Sequence, residues 1–455
     1  LDVGKNKSTP EKLDNIKNLI TKGNETAWLR FNTINRGDAS RVLDNLYNLG
    51  KNRQSLEFHG KFFGRAAIIV CPGPSLKKNI KLLKSAGDKF LIICVLHAYK
   101  ALSEEGINPH IVIHTDPQNL KELNFQRNGE SISNWEEWIE NSSFEDVNYF
   151  AVSCSASPEM FNIKAKNIMW MSPALSIGEF LPIDMFDYKR VGGSVSHSAF
   201  DLAVEFGCSA VALVGQDLAF APTGELYVEN AELESDDIDK KKRIQRLGDR
   251  HYVKGFNGKE VETNSSFSFF ANQYTKFAND LNTQDTNIKL FNCTEGGRFI
   301  EGFEHCSLEA FMSNYKEKVS TTIASIFNAI EDNFEFKATE NKKLRQYIAR
   351  NLILSEEIRK LIKSALSIAM KERHTNDELL KFDKIQNKSI KNMKSNPFFT
   401  LGLQREMYML QAGIRADNSV AGQLGFHKDF LLASQRYNEN FKNALVRQKQ
   451  IFYRH

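Results

Sequence analysis

The sequence lacks the usual marks of a membrane, secreted or nucleic-acid-binding protein. Its longest apolar runs, Ala66–Cys71 and Leu91–Leu96, fall well short of the roughly 20 residues of a spanning helix. Charge of one sign is also missing. The 60 Lys and Arg against 56 Asp and Glu leave +4 over 455 residues, which gives no reason to expect nucleic acid as a partner. Cysteine is sparse and unpatterned: none of Cys71, Cys94, Cys154, Cys208, Cys293 and Cys306 forms a CxxC or CxxH pair. Several end apolar runs, where a thiol behaves as a small hydrophobe. They read as reduced core thiols of a cytoplasmic protein, not as a disulfide frame or zinc site. No secretory leader is visible, and the chain opens on Leu1 instead of Met, so a preceding segment is expected. Proline all but disappears in the second half: eight prolines lie between Pro72 and Pro222, and only Pro397 follows.

What is there fits a folded chain. Hydrophobic residues make up 41% and charged residues 25%, ordinary for globular protein and unlike disorder. The length suggests about three domains at ~150 residues each. The proline-poor stretch 306–455 permits helices, and Ile358, Leu361, Ile362, Ala365, Leu366 and Ala369 follow the i, i+3, i+4 rule. It is expected to be an all-helical domain of about four or five helices. Residues 1–60 read as a helical N-terminal region, with Thr9 and Pro10 opening a helix.

The middle, 61–305, has a different period. Ala66–Val70, Leu91–Val95, His110–His114, Tyr149–Ser153, Ile168–Met171 and Ala210–Val214 are short, continuous aliphatic runs, the pattern of buried parallel strands. Amphipathic stripes separate some of them: Ala98, Ala101 and Leu102 before Gly106, and Ala199, Leu202, Ala203 and Phe206 before Gly207. The expected fold class is therefore α/β: a central doubly wound, Rossmann-like sheet with a helical C-terminal domain. Such sheets bind ligands beyond the carboxyl ends of their strands.

Polar and glycine-rich turns stand at those ends. The first strand runs into Cys71-Pro72-Gly73-Pro74-Ser75-Leu76, where Gly73 permits close backbone approach and Ser75 can cap a helix whose amides receive a phosphate; a plain strand–helix turn is the bland alternative. The turn is neither a Walker loop nor a dinucleotide fingerprint, since GxxxxGK and GxGxxG are both absent. The third strand ends in His114-Thr115-Asp116-Pro117, a carboxylate at a strand tip or a turn aspartate before proline. Gly192-Gly193-Ser194-Val195-Ser196 opens a helix as a second anion cradle, beside a His197 expected to cap or pack. The strand at 210–214 ends in Gly215-Gln216-Asp217-Leu218-Ala219-Phe220. An acidic then basic block, Glu232–Arg250, follows, either a solvated loop or a lid. Phe267, Phe270, Ala271, Tyr274, Phe277, Ala278 and Leu281 make a further amphipathic helix, and Asn292–Gly297 a last polar turn.

Taken in order, Cys71–Leu76, Gly106-Ile107-Asn108-Pro109 with Thr115-Asp116-Pro117, Gly192–Ser196, Gly215–Phe220, and Asn292–Gly297 with Gly302 resemble the DUF115 or Maf family, the motility accessory factors associated with flagellin glycosylation. The resemblance covers about residues 60–305. More loosely, the segment is similar to bacterial sialyltransferases that use CMP-sugars. Gly73-Pro74-Ser75, Gly193-Ser194, Gly215-Gln216-Asp217, Tyr227 and His251-Tyr252 keep that family's order, whereas Pro72 replaces its usual Asn and Phe220 a common Tyr.

The resemblance implies a GT-A-variant, sialyltransferase-like glycosyltransferase that moves a nonulosonic acid of pseudaminic or legionaminic type from CMP to Ser or Thr of flagellin. A monophosphate leaving group needs no obligatory cofactor, because hydroxyls and helix amides can stabilise it; a divalent metal stays open. Nucleotide and phosphate contacts are then expected from Gly73, Pro74, Ser75, Thr115, Asp116, Gly193 and Ser194, with Tyr227 donating to the leaving phosphate. Asp116 and Asp217 would shape the sugar–nucleotide site. His251 would be the general base, with Glu295 its rival. Flagellin is the expected protein partner, held by 306–455, with no nucleic acid and no membrane. Two other classes fit the same residues. One is a pterin pyrophosphokinase-like enzyme using ATP and Mg²⁺ on Asp116 and Asp217; the other is a non-catalytic flagellin-binding chaperone.

Overall fold

The computed structural model describes residues 41–115, 143–172, 181–182, 193–222, 228, 250–284, 286–315, 321–332, 338–371, 373–396, 398–399, 403 and 420–454. The helix expected at Thr9 and Pro10 lies outside them. In chain order the strands are β1 Arg53–Gln54, β2 Ala66–Val70, β3 Leu91–Val95, β4 Ile111–His114, β5 Ser143–Phe144, β6 Tyr149–Ser153, β7 Lys164–Ala165, β8 Ile168–Met171, β9 Ala210–Val214, β10 Arg250–Lys254, β11 Glu260–Asn264, β12 Lys289–Asn292 and β13 Glu304–His305. The helices are α1 Leu46–Lys51, α2 Leu76–Leu83, α3 Leu96–Glu104, α4 Val195–Glu205, α5 Ser265–Thr283, α6 Leu308–Tyr315, α7 Ile323–Asp332, α8 Ala338–Ala369, α9 Asn376–Lys394 and α10 Val420–Arg454.

Nine strands form one parallel sheet in the order β1-β8-β6-β4-β3-β2-β9-β12-β13. Every residue of β2, β3, β4, β6 and β9 is buried, which is why these segments are almost continuously apolar instead of alternating. At roughly 1.5–3 kcal/mol for each fully buried aliphatic side chain, this core outweighs any single polar contact described below. From β2 the chain steps one way through β3, β4, β6 and β8. It then returns past β2 to form β9, followed by β12 and β13. The order thus reverses between β2 and β9, which pair from Ala66–Ala210 to Val70–Val214. Gly106 at φ 66° and Gly207 at φ 89° end their helices in the left-handed region, as expected from their positions.

The chain divides into two compact units, 47–342 and 1–46 with 343–455. Aromatic packing ties the segments that flank 61–305 to the first of these units. Phe58, before β2, and Phe327 of α7 join Phe62, Phe206 and Tyr149 in one cluster with ring centroids 5.0–6.2 Å apart. Phe311 of α6 lies 5.9 Å from Phe90 and 5.1 Å from Phe291. Both helices therefore complete the α/β core. In the other unit, α8, α9 and α10 bury Ile358, Ile362, Phe382, Leu431 and Phe441. Thr375 and Glu378 close a reciprocal capping box on α9. Among the described residues of 306–455 every helix or strand is a helix, and none is long and apolar enough to cross a membrane.

Candidate functional site

A cleft of about 280 Å³ opens at the carboxyl ends of β2, β3, β4 and β9, at the point where the strand order reverses. Its wall is made by the turn after β2 (Cys71–Gly73), the start of α3 (His97), the end of β4 (His114), the start of α4 (Gly193–Ser196) and the turn after β9 (Gly215–Ala219). Phe267 and Phe270 of α5 close one side.

The two turns interlock through glycine. Gly73 donates its amide to the Gly215 carbonyl at 2.8 Å, and a side chain at 73 would run into that carbonyl and the Asp217 carboxylate. Gly215, at φ 68°, faces the Cys71 carbonyl with no room for a Cβ. A third loop straps them. Gly297 (φ 65°) lies against the Asp217 backbone, Arg298 donates its amide to the Asp217 carbonyl at 2.8 Å, and Thr294 Oγ1 accepts the Gln216 amide at 3.2 Å. Leu218 and Glu295 themselves take positive φ, 48° and 56°, a costly conformation that marks how tightly the turns are held.

Asp217 is the buried acid of this arrangement. Its Oδ2 accepts the Ser75 hydroxyl at 2.8 Å and the Ser75 amide at 3.3 Å. Burial pushes its pKa up to about 6, against the pull of those hydrogen bonds and of Lys78. Ser75 thus departs from expectation. It occupies the N-cap position of α2, but its side chain bonds to Asp217 and makes no cap hydrogen bond. Across the cleft Gly193 (φ 76°) precedes Ser194, the N-cap of α4, whose hydroxyl lies 3.0 Å from that of Ser196. Neither serine side chain caps its helix; at the start of α2 it is the Asp217 carboxylate that accepts the Ser75 amide.

Of the residues expected from sequence, Gly73, Gly193, Ser194 and Asp217 line the cleft, with Ser75 bonded behind Asp217. Pro74 and Thr115 are partly exposed and stand outside the lining. Asp116 and Tyr227 lie outside the described residues, as does most of the block Glu232–Arg250. Glu295 points elsewhere: its Oε1 accepts the Leu308 amide at 3.0 Å and so caps α6. His251 is exposed on the β10–β11 hairpin, with Nε2 3.0 Å from Ser268 Oγ, and is not part of the cleft wall. His197 packs as expected, buried with Nε2 3.0 Å from the Phe270 carbonyl and its ring 4.3 Å from Tyr274.

Three lining residues have no role assigned from sequence: His114 and Gln216, which stand in the strand-end motifs, and His97, which follows β3 and which the strand-end rule could have found. Burial holds His114 at a pKa of about 4, neutral at physiological pH. Gln216 Oε1 is buried at the cleft without a hydrogen-bond partner among the described residues, an acceptor left for a ligand donor. Among those residues no three His, Cys, Asp or Glu side chains gather as a metal site.

Residues 40–223, which contain β2, β3, β4, β9 and most of the cleft, match the family described as "6-hydroxymethylpterin diphosphokinase MptE-like". No curated protein sequence matches the chain. Among solved structures it is similar to the MAf glycosyltransferase from Magnetospirillum magneticum AMB-1, at 14% identity and a TM-score of 0.48. That similarity covers 92% of this chain and 59% of the other, so the present chain spans less than two thirds of that protein's length. The match therefore falls on the segment that carries the switch-point cleft.

Proposed function

We propose that the cleft binds a nucleoside phosphate and that the chain is a Maf-type glycosyltransferase, moving a nonulosonic acid from its CMP form to a Ser or Thr hydroxyl of flagellin. The observation that carries this is the interlocked pair of glycine turns at the switch point. It brings the turn after β2 and the amino end of α4 to one cleft and seats a buried carboxylate, Asp217, in its wall. The amino end of α4, on the cleft wall, suits a phosphate. In the transfer, the bond from the anomeric carbon to the phosphate oxygen breaks and one to the acceptor oxygen forms. CMP leaves with the bonding electrons, and the hydroxyl proton passes to a base. Asp217 is the proposed base, because a carboxylate with a pKa near 6 exchanges protons well near neutrality and already lines the cleft. His114 stays neutral and serves as a hydrogen-bonding wall. Residues 306–455 are the proposed hold on flagellin, and Tyr227 and Asp116 keep their proposed contacts to phosphate and sugar.

The match over 40–223 favours one alternative, a diphosphokinase that transfers pyrophosphate from ATP with Mg²⁺ to a pterin alcohol. In this chain Asp217 would offer the metal only the oxygen not taken by Ser75, and its partner would be Asp116. Incubating the protein with CMP-nonulosonic acid and flagellin, and separately with ATP, Mg²⁺ and hydroxymethylpterin, each with and without EDTA, separates the two. A sugar mass added to flagellin regardless of EDTA supports the transferase. A pterin diphosphate formed only without EDTA supports the kinase.

A further inference from the structure

At the opposite, amino edge of the same sheet lies a second cavity of about 280 Å³, lined by Arg65, Lys89, Ser209, Lys289 and Tyr315 among others. Three of these are cations, brought together by the parallel register. Arg65 directly precedes β2, Lys89 stands two residues before β3, and Lys289 begins β12, while Ala66 and Lys289 both pair with Ala210 of the strand between them. The backbone there is fixed. The Arg65 carbonyl accepts the Ser209 amide at 2.7 Å and its hydroxyl at 3.2 Å, and the Ser209 carbonyl accepts the Lys289 amide at 2.9 Å.

Arg65 is only 4% exposed, yet among the described residues its guanidinium makes no hydrogen bond and no ion pair. Lys89 and Lys289 have no ion pair there either. Asp88, whose charge reaches Arg65, is occupied: its Oδ1 accepts the Ala324 amide at 2.8 Å and lies 3.4 Å from His110 Nε2. Glu304 acts on Tyr315, the other titratable group at the cavity, and is exposed. The Arg65 guanidinium, without an acceptor from the described residues, lines this cavity and presents its donors to whatever fills it. Lys89 and Lys289, both exposed and both on its lining, add positive charge at the same cavity.

We infer that this cavity is an oxyanion site for a phosphate group, held by the Arg65 guanidinium as a fork and by Lys89 and Lys289 as flanking charges, with the Tyr315 and Ser209 hydroxyls at its rim. The phosphate can be free in solution or part of a small phosphorylated metabolite, and the site is independent of the nucleotide cleft at the other end of the strands. Because it bridges the beginnings of β2, β3 and β12, a bound anion ties together the strands whose far ends carry the cleft. Filling it should raise the melting temperature.

The test is calorimetric titration of the whole chain with inorganic phosphate, with glycerol phosphate and with chloride at matched ionic strength. Melting curves are recorded under the same conditions. One-site binding of phosphate to the wild type is expected. It should weaken at least tenfold in Lys289→Met, an exposed position that leaves folding intact, and vanish in Arg65→Met, with Gly193→Val in the cleft unchanged. Tighter binding of glycerol phosphate than of phosphate assigns the site to a phosphorylated metabolite, and the reverse assigns it to the free ion. Failure of folded wild type to take up either, or equal affinity in Lys289→Met, overturns the site. Loss in Gly193→Val alone would assign the binding to the cleft instead.

Discussion

The two ends of the parallel sheet are built from different material. At the carboxyl edge, backbone meets backbone: Gly73, Gly215 and Gly297 sit where a Cβ would strike a carbonyl or carboxylate, and one short acid, Asp217, fills the remaining polar space. At the amino edge, long side chains do the work. Arg65, Lys89 and Lys289 reach into an open space, and the neighbouring glycine, Gly64, has nothing within 4 Å of where its Cβ would be. A site made of backbone tolerates almost no substitution and holds its geometry without side-chain entropy. A site made of long side chains tolerates changes at its rim and adapts to its ligand.

That contrast is sharpest in a pair of glycine substitutions. Gly215 and Gly64 both have positive φ, at 68° and 77°. Gly215→Val meets the Cys71 carbonyl as well as the dihedral penalty, and should destabilise the α/β unit by about 3 kcal/mol or more. Gly64→Ala carries the dihedral penalty alone, about 1–2 kcal/mol. Urea unfolding midpoints at constant m-value compare them; equal losses would break the distinction between the two edges. Next in size is the chemical effect. Asp217→Asn should lower sugar transfer roughly 10²–10⁴-fold with CMP affinity changed little, read by initial rates and calorimetry. Transfer within threefold of wild type would remove Asp217 from the proton transfer.

The cleft also carries opposed pH dependences, each on the order of 3 kcal/mol. Burial raises Asp217 from 3.8 to about 6, so the folded chain holds this proton more tightly than the unfolded one. That stability is fully present below pH 3.8 and is lost as pH rises through 6. Burial lowers His114 from 6.5 to about 4, so the folded chain binds this proton less tightly, and stability is gained as pH rises from 4 to 6.5. The two nearly cancel in the wild type. Asp217→Asn should leave stability rising with pH between 4 and 6.5, and His114→Gln should leave it falling, measured by urea unfolding at each pH. Parallel curves for both variants would contradict the burial of these groups. The smallest effect is expected at His251, outside both edges. His251→Ala loses an exposed bond to Ser268 and should change stability by no more than about 0.5 kcal/mol. A large loss of transfer in this variant would return the role of base to His251.

The same contrast explains how much could be read from the sequence. Unbroken aliphatic runs located β2, β3, β6, β8 and β9 to the residue, and β4 to within one. Glycines in polar turns pointed to the carboxyl edge because the constraint there is local: Gly73 and Gly215 each stand next to the strand that places them. β1 and β13, two residues each, have no period to detect, and β10, which starts at the last residue of the charged block, is an exposed strand with no apolar pattern. The bond between Ser75 and Asp217 joins residues 142 positions apart, and a serine before a helix carries no sign that its hydroxyl will serve something other than a cap. The amino-edge cations left no motif. Arg65, Lys89 and Lys289 are single residues in separate segments, and only the parallel register makes them neighbours.

The interlocked turns at the β2–β9 reversal are proposed to form a nucleotide site suited to CMP. Calorimetric titration of CMP, and of ATP with Mg²⁺, into wild type and Gly193→Val tests it most directly. Gly193 lies at φ 76° with Phe269 3.5 Å from its missing Cβ, so valine there distorts the start of α4 without touching the sheet. One-site CMP binding to the wild type is expected, stronger than that of ATP and lost in the variant. Folded wild type that ignores CMP, or CMP binding undiminished in Gly193→Val, would contradict a CMP site at these turns.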